Sequence, residues 1–246
     1  MSINFDSDGA PAQWQESDIT NLATGMTAKN LSFGGWARIT ESLGRLYIAM
    51  TIQSSGTAGH WFRLSVDTVG QVIADHRAGG AIQGDTQSSA NNFLANTWHH
   101  IMAVFDSFTV EAFLDGKSTS DNGILVTPAS IDEVSAGTFD GDTVNTWHGD
   151  LCRWGLWSSA LVQADISLLA ANRLAPPLVS PSTLEHYFKW GNKDDGDAKD
   201  GLTWSTVTGS PTTTADVPNI QDAILQPVSG STMMQAPSTT IRVNAY

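Results

Sequence analysis

From His100 to Leu114 the side chains change character from one residue to the next. Ile101, Ala103 and Phe105 stand against His100, Met102 and Val104; beyond Asp106-Ser107, Val110, Ala112 and Leu114 stand against Thr109, Glu111 and Phe113. A period of two sends successive side chains to opposite faces of an extended chain, so the stretch predicts a β-hairpin. The Asp115-Gly116 pair that follows is a two-residue turn signal of its own. Similar short runs, separated by Gly, Asn, Asp and Ser, predict strands at 31–40, 44–53, 61–66, 71–76, 98–105, 109–114, 134–139, 147–157, 184–190 and 202–208. Strands spaced this closely speak against βαβ units and for an all-β, two-sheet antiparallel jelly-roll sandwich. One segment departs from the pattern. Residues 159–172 read as a short helix with Ser158 or Ser159 as N-cap, Leu161, Ala164, Leu168 and Leu169 near helical spacing, and Arg173 and Pro176-Pro177 ending it.

A sandwich of this size needs a large core, and the chain supplies one: of 246 residues, 41% are hydrophobic and nine are Trp, enough for a single domain without disulfides. The lone Cys152, in the run Leu151-Cys152-Arg153-Trp154, reads as a small buried hydrophobe. The 25 acidic residues against 12 basic ones give a formal charge of -13, a field that repels phosphate backbones and anionic lipid. Arg38, Arg45, Arg63 and Arg77 are scattered, which speaks against a nucleic-acid partner. The start Met1-Ser2-Ile3-Asn4-Phe5-Asp6 has neither the basic nor the apolar region of a secretion signal, and no window has the length of a membrane span. Synthesis in a host cytoplasm and release by lysis are the expectation. The sandwich is expected over residues 1–220. Residues 221–246 are rich in Ser, Thr, Pro and Gln, and their alternating end, with Ile241, Val243 and Tyr246, is either a frayed terminus or an arm that adds as an edge strand to a neighbour.

Four segments in order resemble the laminin-G-like and pentraxin-like branch of the concanavalin A-like lectin/glucanase superfamily. They are Ser32-Phe33-Gly34-Gly35-Trp36-Ala37-Arg38; Asn96-Thr97-Trp98-His99-His100-Ile101-Met102-Ala103-Val104-Phe105; Phe113-Leu114-Asp115-Gly116-Lys117, with its aromatic one place earlier than usual; and Gly149-Asp150-Leu151-Cys152-Arg153-Trp154-Gly155-Leu156-Trp157 running into Leu161 to Leu169. Their roles read as architectural. Trp98 is expected to fill the space between sheets, His99 and His100 to satisfy backbone groups at a strand start, Gly116 to take a positive φ and Gly149 to allow close chain approach.

The resemblance also implies chemistry to test. Its glucanase members carry alternating carboxylates, Glu-x-Asp-x-(x)-Glu, and that pattern is missing here; Glu111 with Asp115, and Asp132 with Glu133, have the wrong spacing or face. With no nucleophile, phosphate or zinc motif either, the protein is expected not to be an enzyme. Relatives bind calcium through rim loops, and two acidic loops offer ligands: Asp140 and Asp142 with Asn145, and Asn192, Asp194, Asp195, Asp197 and Asp200. The same residues also read as solvated turns. Trp14, Trp61, Trp147, Trp190 and Trp204 are candidates to stack on sugar, each equally readable as core, so the sequence names no glycan-binding residue. The expected function is non-enzymatic binding or structural display: a virion protein, such as a phage capsid decoration or tail adhesin, partnered by capsid protein or its own copies, with a soluble carbohydrate-binding lectin as the alternative and a glycoside hydrolase as the least favoured reading.

Overall fold

The computed structural model describes residues 2–5, 13–16, 30–54, 59–79, 82–87, 93–107, 109–121, 128, 131–138, 144–190, 206–208, 212–214 and 217–220. They form β1 (Ser2–Asn4), β2 (Gln13–Glu16), β3 (Asn30–Ile39), β4 (Tyr47–Gln53), β5 (His60–Val66), β6 (Val72–Ala78), β7 (Ile82–Gln87), β8 (His99–Asp106), β9 (Thr109–Leu114), β10 (Lys117–Asp121), β11 (Glu133–Ala136), β12 (Gly149–Trp157), the helix α1 (Gln163–Ala170), β13 (Leu184–Phe188), β14 (Thr206–Thr208) and β15 (Thr212–Thr214). Sheet A runs β10-β9-β8-β3-β12-β1-β15, with β13 also beside β12, and sheet B runs β14-β2-β11-β4-β5-β6-β7. Every pairing is antiparallel, as the closely spaced strands require. Among the described residues no helix is long and apolar enough to cross a membrane.

Alternation decides which side chains enter the space between the sheets. Phe33, Ala37 and Ile39 of β3, Ile101, Ala103 and Phe105 of β8, and Val110, Ala112 and Leu114 of β9 meet Met50 and Ile52 of β4, Phe62 and Leu64 of β5, and Val134 and Ala136 of β11. Phe62 and Phe105 pack edge to face across the layers at 4.7 Å. Trp147, Trp154 and Trp190 are fully buried in the same core. Burying one such ring removes roughly 150–250 Å² from water, on the order of 4–6 kcal/mol of transfer free energy. Cys152 is buried as expected, and its burial pushes the thiol pKa up, away from reactivity.

The Asp115-Gly116 turn joins β9 to β10 with φ of 51° and 78°, the two left-handed residues of a tight hairpin. Gly149 is required by close approach: a Cβ there would lie 1.9 Å from the carbonyl oxygen of Arg38.

Three expectations need correction. Trp98 does not fill the inter-sheet space; it sits half-buried just before β8, under the Arg38 guanidinium at 5.1 Å. The helix begins at Gln163 with Val162 as N-cap and no side-chain cap. Ser159 donates to Thr183 Oγ1 and Ser158 to Glu185, because the hydroxyl of Ser32 on β3 already accepts from the Leu161 N–H and donates to the Ser159 carbonyl. The strand expected at 134–139 spans Glu133–Ala136, and β1, β2, β7, β10 and β15 were not expected at all.

Candidate functional site

Each sheet has a second face turned away from the common core. On sheet A the part of that face beneath α1 is apolar, while Arg38 and Asp150 form an ion pair farther along it. Met102 and Val104 of β8, Phe113 of β9 and Trp157 of β12 pack against Leu161, Ile166, Leu169, Val179 and Leu184, so α1 and the chain around it close this side. The Trp157 indole N–H donates to the Val179 carbonyl at 3.0 Å, which satisfies its polar atom.

The second face of sheet B is polar. Register sets Glu133, Gln53, Trp61 and Arg77 in one row across β11, β4, β5 and β6, and Ser135, Thr51, Arg63 and Asp75 in the next. Arg63 donates to Asp75 through Nε (3.0 Å) and a terminal nitrogen (2.5 Å), and its guanidinium lies 4.5 Å from the centre of the Trp61 ring. A fork paired twice and stacked on an indole is held in one orientation before anything binds. Gln53 donates to Glu133 at 2.6 Å, and the Ser135 hydroxyl donates to the same carboxylate oxygen at 3.3 Å. Thr51 Oγ1, Gln53 Oε1 and Ser65 Oγ on this face are buried with no hydrogen-bond partner among the described residues. Such groups cost stability, and sealed from solvent they lie out of a ligand's reach, so the accessible polar groups of this face are elsewhere on it. The β4 and β11 half is shielded, whereas Arg63, Ile73 and Arg77 on the β5 and β6 half are only half-buried.

The histidines at the start of β8 form a second polar cluster, and its bonds show what it does. The Leu94 N–H donates to His99 Nε2 at 3.1 Å, which leaves Nδ1 to donate to Asp115 Oδ2 at 2.7 Å. Both ring nitrogens are therefore spent on structure. Burial pushes the Asp115 carboxyl up, but the bonds from the His99 ring and the His100 N–H outweigh it and hold the group below its usual range. His100 is buried edge-on to Trp36, its Nδ1 has no partner, and burial lowers its pKa to about 4.

The expected calcium ligands Asp140, Asp142, Asn192, Asp194, Asp195, Asp197 and Asp200 lie outside the described residues, as do the arm residues Ile241, Val243 and Tyr246. Asn145 is described and half-buried, and no group of three or more His, Cys, Asp or Glu that could hold a metal occurs among the described residues. Of the tryptophans weighed for stacking on sugar, Trp61, Trp147 and Trp190 are buried, and the side chains of Trp14 and Trp204 lie outside the described residues. Arg63, Asp75 and Gln53 were not singled out from the sequence. The signal was there in Trp61-x-Arg63 and Asp75-x-Arg77, two runs whose period puts those side chains on one face.

A family model of the concanavalin A-like lectin/glucanase superfamily, of laminin G type, matches residues 13–167. The chain belongs to this superfamily. No curated protein matches the chain in sequence. Among solved structures, a candidate carbohydrate-binding protein of Bacteroides ovatus ATCC 8483 superposes with a TM-score of 0.60 at 15% identity, over 89% of this chain and 61% of its own. This member therefore spans less than two thirds of that protein. The CBM40 domain of Ruminococcus gnavus IT-sialidase, bound to α2,3-sialyllactose, gives 0.55 at 13% identity, over 69% of this chain and 96% of its own. A heptameric SAP-like pentraxin of Limulus polyphemus gives 0.55 at 11% identity, over 85% and 94%. At these identities the likeness is one of fold.

Proposed function

We propose that the protein is a non-catalytic glycan-binding module that takes its ligand on the outer face of sheet B. The observation that carries this reading is the Arg63 fork, fixed by Asp75 and Trp61 on the half-buried β5 and β6 part of the face. The N–H groups of the fork that Asp75 does not engage can donate to sugar hydroxyls. The carbohydrate-binding structures that share the fold support the same reading.

Two geometric facts speak against glycoside hydrolysis on this face. Its buried carboxylates, Asp75 on β6 and Glu133 on β11, are three strand spacings apart, roughly 14 Å at the usual inter-strand distance, beyond the carboxylate separations of retaining and inverting enzymes. Each is also engaged, Asp75 by Arg63 and Glu133 by Gln53.

The test is a glycan array probed with the full chain and with a paired Arg63→Met/Asp75→Leu variant, which removes fork and counter-charge together. Binding by the parent chain and silence of the pair supports the reading; equal binding by both moves the site elsewhere. A calcium requirement, expected of the loops at 140–145 and 192–200, is tested in the same assay by chelation, and a signal unchanged in EDTA removes it. The virion setting is a separate proposal resting on the sequence. Stoichiometric co-sedimentation with a particle supports it, and recovery as free protein overturns it.

A further inference from the structure

The chain leaves α1 through a turn that glycine ordinarily makes. Ala171 N–H and Asn172 N–H both donate to the Ser167 carbonyl, Leu174 N–H donates to the Leu168 carbonyl, and between them Arg173 adopts φ of 53°. A left-handed conformation costs a branched or long side chain roughly 1 kcal/mol that glycine avoids. The exposed Arg173 guanidinium lies over the Trp36 ring at 5.4 Å and makes no hydrogen bond or ion pair with the described residues. Beside it opens a cavity of about 490 Å³ lined by Ala171, Asn172, Arg173, Leu174 and Asn219.

We propose that this cavity binds a carboxylate-bearing sugar, with Arg173 as its anchor. The class of ligand follows from the wall. A planar fork whose donors are unspent among the described residues matches the two oxygens of a carboxylate, and stacking on Trp36 orients the fork. The Asn172 and Asn219 amides each offer donors and an acceptor, which suits neighbouring hydroxyls of a sugar seated in this open pocket. The C-terminal end of α1 and the chain's formal charge of -13 both oppose an anion, so the attraction has to come from Arg173 itself. The site lies on the helix side of the sandwich, away from the outer face of sheet B. It rests on the glycan-binding reading above for the sugar, while the carboxylate chemistry stands on the pocket alone.

The experiment is calorimetric titration of the full chain with sodium glucuronate and with N-acetylneuraminate, using methyl glucoside and acetate as controls. The parent chain should bind at least one acidic sugar, R173K at least tenfold more weakly, and R173Q not measurably, with both controls silent. R173G should lose binding yet melt at a higher temperature, because glycine relieves the turn; a role confined to capping the helix gives no binding change. Undiminished binding by R173Q, no binding of either acidic sugar by the parent chain, or acetate binding as tightly as glucuronate overturns the proposal. Array signals on neutral glycans that survive R173Q but vanish in the Arg63→Met/Asp75→Leu pair keep the sheet B reading while this one falls.

Discussion

The two outer faces of the sandwich are built from the same strand alternation and reach opposite ends. On sheet A the outward positions carry Met102, Val104, Phe113 and Trp157, and the chain folds a helix over them, so the face becomes a second core. On sheet B the outward positions carry Gln53, Thr51, Arg63, Asp75, Glu133 and Ser135, which pair partly with each other and leave oxygens unpartnered. One face has been spent on stability and the other has kept its polarity.

Substitutions break or sharpen this contrast. Trp157→Ala removes the largest ring of the helix-covered face, and equilibrium denaturation should show a loss of about 4 kcal/mol, as for a true core residue. A loss below about 1 kcal/mol would mean that α1 is not a structural lid. Arg63→Met strands the buried Asp75 charge and should cost about 3 kcal/mol, most of it recovered when Asp75→Leu is added, because what hurts is the uncompensated carboxylate. No recovery in the pair would show that the fork itself holds the sheet together.

Acid gives a third contrast. His100 lies on the face of sheet A, buried beside Trp36, with its pKa lowered to about 4. The unfolded chain takes up this proton near pH 6.5 and the folded chain only near 4, so the unfolded state binds more protons in between. Stability should thus be full above pH 6.5 and fall as pH drops toward 4, by about 3 kcal/mol if this group acts alone. His100→Leu should flatten that segment of the profile, and an unchanged slope would assign the acid sensitivity to other groups. Smallest of all, Thr51→Val replaces a buried, unpartnered hydroxyl with a methyl and should be neutral or stabilising by up to about 1 kcal/mol. A clear loss would show that the hydroxyl has a partner in solution.

Much of the fold was legible because alternation is a local signal. The runs at Leu31, Trp61, Ile101 and Thr109 became β3, β5, β8 and β9, and Asp115-Gly116 marked its turn from two residues. What escaped depends on partners distant in sequence. β1 and β15 are three residues each and exist as strands through their pairing with β12 and with each other. The start of α1 could not be read from Ser158 or Ser159, because the hydroxyl that serves the Leu161 N–H comes from Ser32, 129 positions away. At the candidate site, Arg63 read only as one of several scattered arginines and Asp75 was not singled out, and only register shows them paired over Trp61. Arg173 looked like a helix stop, and nothing local announces that its side chain lies over Trp36.

The place of the first strand has a consequence in time. Ile3 lies between Leu151 of β12 and Thr213 of β15, so the strand that precedes all others has its partners more than 140 residues later. During synthesis this segment leaves the ribosome early and finds its neighbours late. Sheet A stays open at that side until nearly all of the sandwich exists, which makes its closure a slow, non-local step. Until then the edge of β12 that receives β1 stays unpaired, a row of backbone groups open to any other extended segment.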